Sequence, residues 1–175
     1  MGRASQVVVL IEDKRQHRFV RRYLYQLGYT PRDLQFEPVP GGEGSGSKWV
    51  LDRYGEAVAA YRLRSARAET ALVVSIDADD GSVERRRQQF HDRAARRPGE
   101  KIAHLIPKWS IETWIRCLTG RPVDENQTYR REPGIDEQIA PAAATFFQWS
   151  RPNATPPPHC TPSLHAAIPE VRRLE

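Results

Sequence analysis

The chain has 175 residues and a mass of 20.0 kDa, room for one compact domain with an appended tail and little space for a second core. Hydrophobic residues make up 39% and charged residues 28%, with a mean hydropathy of -0.66; this is polar, yet rich enough in Val, Ile, Leu, Trp and Tyr to exclude wholesale disorder. The formal charge is +5, from 27 Lys+Arg against 22 Asp+Glu, and 23 of the 27 cations are Arg, whose guanidinium favours bidentate contact with phosphate and carboxylate.

From the amino terminus, Val7 to Ile11 is a β-branched and aliphatic run followed by Glu12-Asp13, the pattern of a strand buried on both faces. This five-residue run is too short for a signal peptide or a spanning helix. Lys14 to Leu27 repeats Phe19, Val20, Tyr23, Leu24 and Leu27 at helical spacing, with Gly28 as C-cap. Leu34 to Val39 reads as a second strand and runs into a loop with four glycines between Gly41 and Gly46. Ser47 is the expected N-cap of the next helix, whose apolar face carries Trp49, Val50, Tyr54, Val58 and Tyr61.

Ala71 to Ile76 is another buried strand and again ends in acids, Asp77-Ala78-Asp79-Asp80, before a strongly basic helix from about Ser82 to Arg97. Ile102 to Ile106 is a fourth strand, and Ser110 caps a helix containing Ile111, Trp114, Ile115 and Leu118. Alternating strands and helices predict an α/β fold, a Rossmann-like three-layer arrangement around a mainly parallel sheet. Nine of the fourteen prolines lie from Pro122 onward, so residues 121–175 read as a Pro-rich C-terminal extension, irregular until a short helix at about Ser163 to Leu174. Cys117 and Cys160 show no CxxC spacing and build no disulfide framework, so the expectation is a soluble cytoplasmic protein without membrane contact.

Parallel sheets bind ligands at the carboxyl ends of their strands, and Glu12 and Asp77 both follow buried strands although they stand 65 positions apart. Carboxylates gathered there repel one another unless a cation holds them, and oxygen-only ligands suit Mg²⁺ or Mn²⁺. Asp13, Asp79 and Asp80 can alternatively serve as helix N-caps.

The strand–Glu12–helix unit followed by strand–Asp77-Ala78-Asp79-Asp80-Gly81–helix resembles the Toprim domain shared by topoisomerases, primases and OLD-type nucleases. The resemblance covers roughly residues 6 to 120 and implies a Toprim-like catalytic domain over residues 1–120. It implies Glu12 as an acid–base or metal-binding residue and Asp77 and Asp79 as Mg²⁺ ligands, the three forming the catalytic set. Ile111-Glu112-Thr113-Trp114 is similar to the Glu-containing helix of small stand-alone Toprim-like proteins encoded beside ATPases in bacterial defence loci, which makes Glu112 a further candidate ligand. The family commonly has Gly after its first glutamate and another acid shortly after; here Asp13 follows Glu12, and Gln16 and His17 stand at the later positions, so Asp13 or Asp80 would supply the missing oxygen.

What the resemblance implies is a Mg²⁺- or Mn²⁺-dependent nuclease, hydrolysing phosphodiesters of DNA or RNA, acting in antiviral defence with an ATPase partner; homo-oligomerisation is compatible with it. The charge pattern fits, because Arg85, Arg86, Arg87, Arg93, Arg96, Arg97 and Lys101 against Glu84, Asp92 and Glu100 leave about +4 around one helix. Arg85, Arg86 and Arg87 are therefore candidate nucleic-acid contacts. Lys48 is a fourth, at the end of a Gly-rich loop that lacks the Walker A spacing. Two alternatives remain: a response-regulator-like receiver phosphorylated at Asp77, and a non-enzymatic Toprim-like subunit that binds a partner or nucleic acid. Against the receiver, the stretch between Asp13 and Asp77 is long, and Lys108 follows Pro107 where receivers place Lys before Pro.

Overall fold

The computed structural model describes residues 3–38, 46–79 and 82–175. Four strands, β1 (Gln6–Ile11), β2 (Leu34–Phe36), β3 (Thr70–Ser75) and β4 (Ile102–Leu105), form one all-parallel sheet in the order β2-β1-β3-β4. Ile11 pairs with Ser75 and Ser75 with Leu105, so the carboxyl ends of β1, β3 and β4 finish level with one another. The helices are α1 (Lys14–Gln26), α2 (Gly46–Ser65), α3 (Val83–Arg93), α4 (Ile111–Leu118), α5 (Ile139–Ser150) and α6 (Pro162–Val171).

The two-residue period of the strands divides the core into two layers. Val7, Val9, Ile11, Val73, Ala103 and Leu105 pack on the side of α1, α4, α5 and α6, whereas Val8, Leu10, Leu72, Val74 and Ile102 pack on the side of α2 and α3. The β1-α1-β2 and β2-α2-β3 crossovers travel in opposite directions along the sheet and so lie on opposite faces, as crossovers of one hand require. The result is the expected three-layer α/β sandwich.

Local chemistry explains most element ends. Asp13 is the N-cap of α1 and accepts from Gln16 N at 2.9 Å; Gly28 at φ 86 closes the helix, with Tyr29 N donating to Leu24 O. Ser82, not Asp79, caps α3. Ser47 is not a cap, since α2 starts one residue earlier at Gly46. The basic helix is shorter than expected: it stops at Arg93, where Ala94 turns extended, and this frees Arg96 to reach back to Ile102 O at 2.9 Å. Glu170 of α6 accepts from His104 N at 2.8 Å and pairs with Arg96, so β4's outward backbone groups are occupied by a charge pair rather than offered to another strand.

The largest departure lies after Gly120. Residues 139–150 form α5, and Ile139, Ala142, Ala143 and Phe146, at positions i, i+3, i+4 and i+7, are buried in the same layer as α1. Phe146 meets Tyr23 at 4.9 Å and Phe19 at 5.8 Å between ring centroids. The prolines mislead because Pro141 sits in the first turn, where a missing N–H costs no helical hydrogen bond, and Pro162 opens α6. The extension is thus part of the core. Phe146→Ala is expected to destabilise the chain by about 3–5 kcal/mol, read as a lowered urea midpoint; a change within about 0.5 kcal/mol would mean that α5 packs only loosely.

Candidate metal centre at the carboxyl edge of the sheet

With β2 on one side of β1 and β3 on the other, the chain changes its direction of travel between β1 and β3, where an open α/β sheet leaves its ligand crevice. Glu12 and Asp77 stand on the two walls of that crevice. Asp77 N donates to Glu12 Oε2 at 2.8 Å, which ties the two strand ends together through the acids themselves. Asp79 joins them, and one carboxylate oxygen from each of Glu12, Asp77 and Asp79 lies within 4.8 Å of the others.

Asp79 reaches this position through an unusual backbone. It adopts φ 53 and bridges Trp109, itself at φ 65, with Asp79 N donating to Trp109 O at 3.2 Å. Aspartate tolerates the left-handed region, but for a residue as bulky as Trp it is a strained conformation that surrounding structure must hold.

The acids resist ionisation. Burial pushes Glu12 up to about 7, opposed by the hydrogen bond from Asp77 N and reinforced by Asp79 and Asp13. Asp77, only 1% exposed, is raised well above the usual carboxylate range by burial and then by Glu12, Asp13 and Glu112. Asp13 is raised as well, chiefly by burial. Among the described residues five carboxylates, Glu12, Asp13, Asp77, Asp79 and Glu112, face three guanidinium groups: Arg15 holds Glu112, Arg86 donates to Asp77 O at 3.0 Å and to Asp79 Oδ2 at 3.1 Å, and Arg130 pairs with Asp79 and lies 3.5 Å from Asp77. Full ionisation of these described groups therefore leaves two uncompensated negative charges, the charge of one divalent cation. Ser75 Oγ, at the carboxyl end of β3, is buried without a hydrogen-bond partner among the described residues. Hard oxygen donors, crowded and under-neutralised, fit Mg²⁺ or Mn²⁺.

Three residues were not legible as site residues. Gln16, fully buried, links the strand ends: its side-chain oxygen accepts from Glu12 N at 3.2 Å and its amide donates to Asp77 Oδ1 at 2.7 Å. It occupies the region where the resemblance called for another acid. Arg130 comes from the segment read as a tail, and Arg15 joins Glu112 (2.6 Å), Asp136 (3.1 Å) and Arg130 O (2.9 Å). No local pattern marks a lone Arg as the partner of acids more than 50 positions away.

The other candidates are dispersed. Glu112 is buried close enough to raise Asp77, but its carboxylate is held by Arg15 and lies outside the three-acid group. Lys48 is 81% exposed and pairs with Asp52. Of the three successive arginines only Arg86 turns to the acids; Arg87 pairs weakly with Glu84 at 3.7 Å, and the Arg85 side chain has no partner among the described residues. Asp80 and Gly41 to Gly44 lie outside the described residues. Comparison of the chain with protein-family models, with curated proteins and with solved structures gave no match.

A carboxyl group that binds its proton more tightly when folded contributes stability below its unfolded value and loses it as pH rises through the folded one. For Glu12 that window runs from about 4.5 to about 7. In the presence of a chelator, unfolding free energy should fall across it by on the order of 3 kcal/mol, and Glu12→Gln should flatten the slope. An unchanged slope in that variant would show that Glu12 is not the group titrating.

Proposed function

We propose that the chain is a Mg²⁺- or Mn²⁺-dependent phosphodiesterase of Toprim type that acts on nucleic acid. The observation that carries this reading is the convergence of Glu12, Asp77 and Asp79 within 4.8 Å at the β1/β3 crevice. In this reading Asp77 and Asp79 hold the cation, Gln16 fixes the Asp77 carboxylate, and Arg86 and Arg130 stand where they can neutralise phosphate oxygens. Glu12, raised to about 7, is suited to accept a proton at neutral pH and to release it again. A bound divalent ion would supply water activation and offset charge on the phosphoryl group.

The receiver alternative shares the acids but fits this geometry less well. Asp77 is buried with Oδ1 occupied by Gln16, and among the described residues Lys108 Nζ donates to Asn126 at 2.8 Å and pairs with no acid. Among the described residues no helix is long and apolar enough to cross a membrane. Cytoplasmic action in antiviral defence beside an ATPase partner extends the proposal, on the sequence resemblance and on two free cysteines.

Purified protein, alone and with any co-purifying ATPase, should cut or nick DNA or RNA with Mg²⁺ or Mn²⁺ and not with EDTA. Glu12→Gln and Asp77→Asn should lower the rate at least about a hundredfold while retaining a cooperative thermal transition. Cleavage at the wild-type rate by both folded variants would sink the assignment.

A further inference from the structure

Away from the acids, a cavity of about 410 Å³ opens between α3, the loop that follows it, and the carboxyl-terminal turn at Arg172–Leu174. Three separate segments supply its walls: Arg87, Gln88 and His91 from α3, Arg96 and Arg97 from the loop, and Arg173 from the terminal turn. The buried Tyr54 and His104 also line it, with His104 Nε2 and the Tyr54 hydroxyl 2.9 Å apart and both rings in contact with Phe90.

The guanidinium groups are not equally engaged. Arg96 is anchored on Ile102 O and on Glu170. Arg173 approaches Glu170 only to 3.9 Å, Arg87 approaches Glu84 only to 3.7 Å, and the Arg97 guanidinium makes no hydrogen bond or ion pair among the described residues, acting on the nearby Glu100 carboxylate only through its charge. Among the described residues, four cations of the lining therefore face Glu84 in the wall and Glu170 behind it, while the nearby Glu100 is already held by Arg62, which leaves an excess of two positive charges in a concave, half-buried space. The buried His104 ring registers this field, held well below its usual value by burial and then by Arg96, Arg173 and Arg87. A solvated helix face would spread such charges apart, whereas here they converge from three parts of the chain.

We propose that this cavity is a binding site for a phosphate-bearing ligand of about nucleotide size, recognised through its dianionic terminal phosphate. Guanidinium forks match phosphate oxygens in geometry, and an excess of two positive charges matches a phosphate dianion. The volume lies within the range of small-molecule sites and exceeds what one phosphate fills. The same phosphate chemistry could be presented by a free nucleotide or by the end of a nucleic-acid strand. The site stands apart from the acid cluster and does not depend on the nuclease reading.

Calorimetry on the full chain in EDTA at low salt, with pyrophosphate, ADP and 5′-phosphorylated or 5′-hydroxyl oligonucleotides, tests this. Saturable binding of pyrophosphate or ADP is expected, weakened at least tenfold by Arg97→Ala/Arg173→Ala and unchanged by Asp77→Asn. Tighter binding of ADP than of the 5′-phosphorylated strand would identify a free nucleotide, and a preference for that strand over its 5′-hydroxyl form would identify a strand end. No binding of any phosphate probe at millimolar concentration, or binding that survives the double substitution in a folded protein, would overturn the proposal.

Discussion

Burying the Asp77 carboxylate at the end of β3 is the constraint around which the carboxyl edge of this sheet is organised. An isolated buried carboxylate is destabilising by several kcal/mol, and each neighbouring element contributes something to offset it. From α1, Gln16 donates to Oδ1; the strand end of β1 accepts the Asp77 N–H through Glu12. Arg86 of α3 binds the Asp77 carbonyl, and Arg130 approaches Oδ2 from the far side. These contacts do not neutralise it, because Glu12 and Asp13 crowd the same space and raise its proton affinity further. The edge is left with a choice between a proton and a cation, a property of pocket electrostatics rather than of any single residue.

The packing of α2 tightens this arrangement. A Cβ added at Gly46 would fall 2.5 Å from Glu12 Cγ, so the first turn of α2 rests directly on the Glu12 side chain. Only glycine permits that approach without displacing the acid. The last glycine of the Gly-rich loop is thus required for close contact with the candidate catalytic carboxylate.

What the sequence made legible was what repeats locally. Strand runs such as Val7–Ile11 and Ala71–Ile76 announce double-sided burial, and the acids that end them fall at one edge once the strands are parallel, so Glu12 and Asp77 could be brought together in advance, with Asp79 added only by the family resemblance. Gln16 and Arg130 could not, because each matters through partners supplied by the tertiary fold. Glu112 entered as a candidate ligand through the family resemblance alone, and in the structure its carboxylate is paired with Arg15. α5 was hidden by proline content, although Ile139, Ala142, Ala143 and Phe146 carried the helical period all along.

The sign of the charge near α3 depends on which face is viewed. Successive helical residues turn by about 100°, so Arg86 and Arg87 address different neighbourhoods: one compensates the acids and the other enters the cationic cavity. An overall charge of +5 would describe a weak attraction for polyanions and nothing more. Resolved into an under-neutralised acidic crevice and an excess-positive cavity on the two sides of one helix, it describes two surfaces of opposite charge. The helix must stop at Arg93 for this to work, because Arg96 and Arg97 close the cavity only from an extended segment. The early end of α3 and the inward turn of the carboxyl terminus are therefore parts of one construction, in which the chain's last residues supply a wall that α3 alone cannot provide.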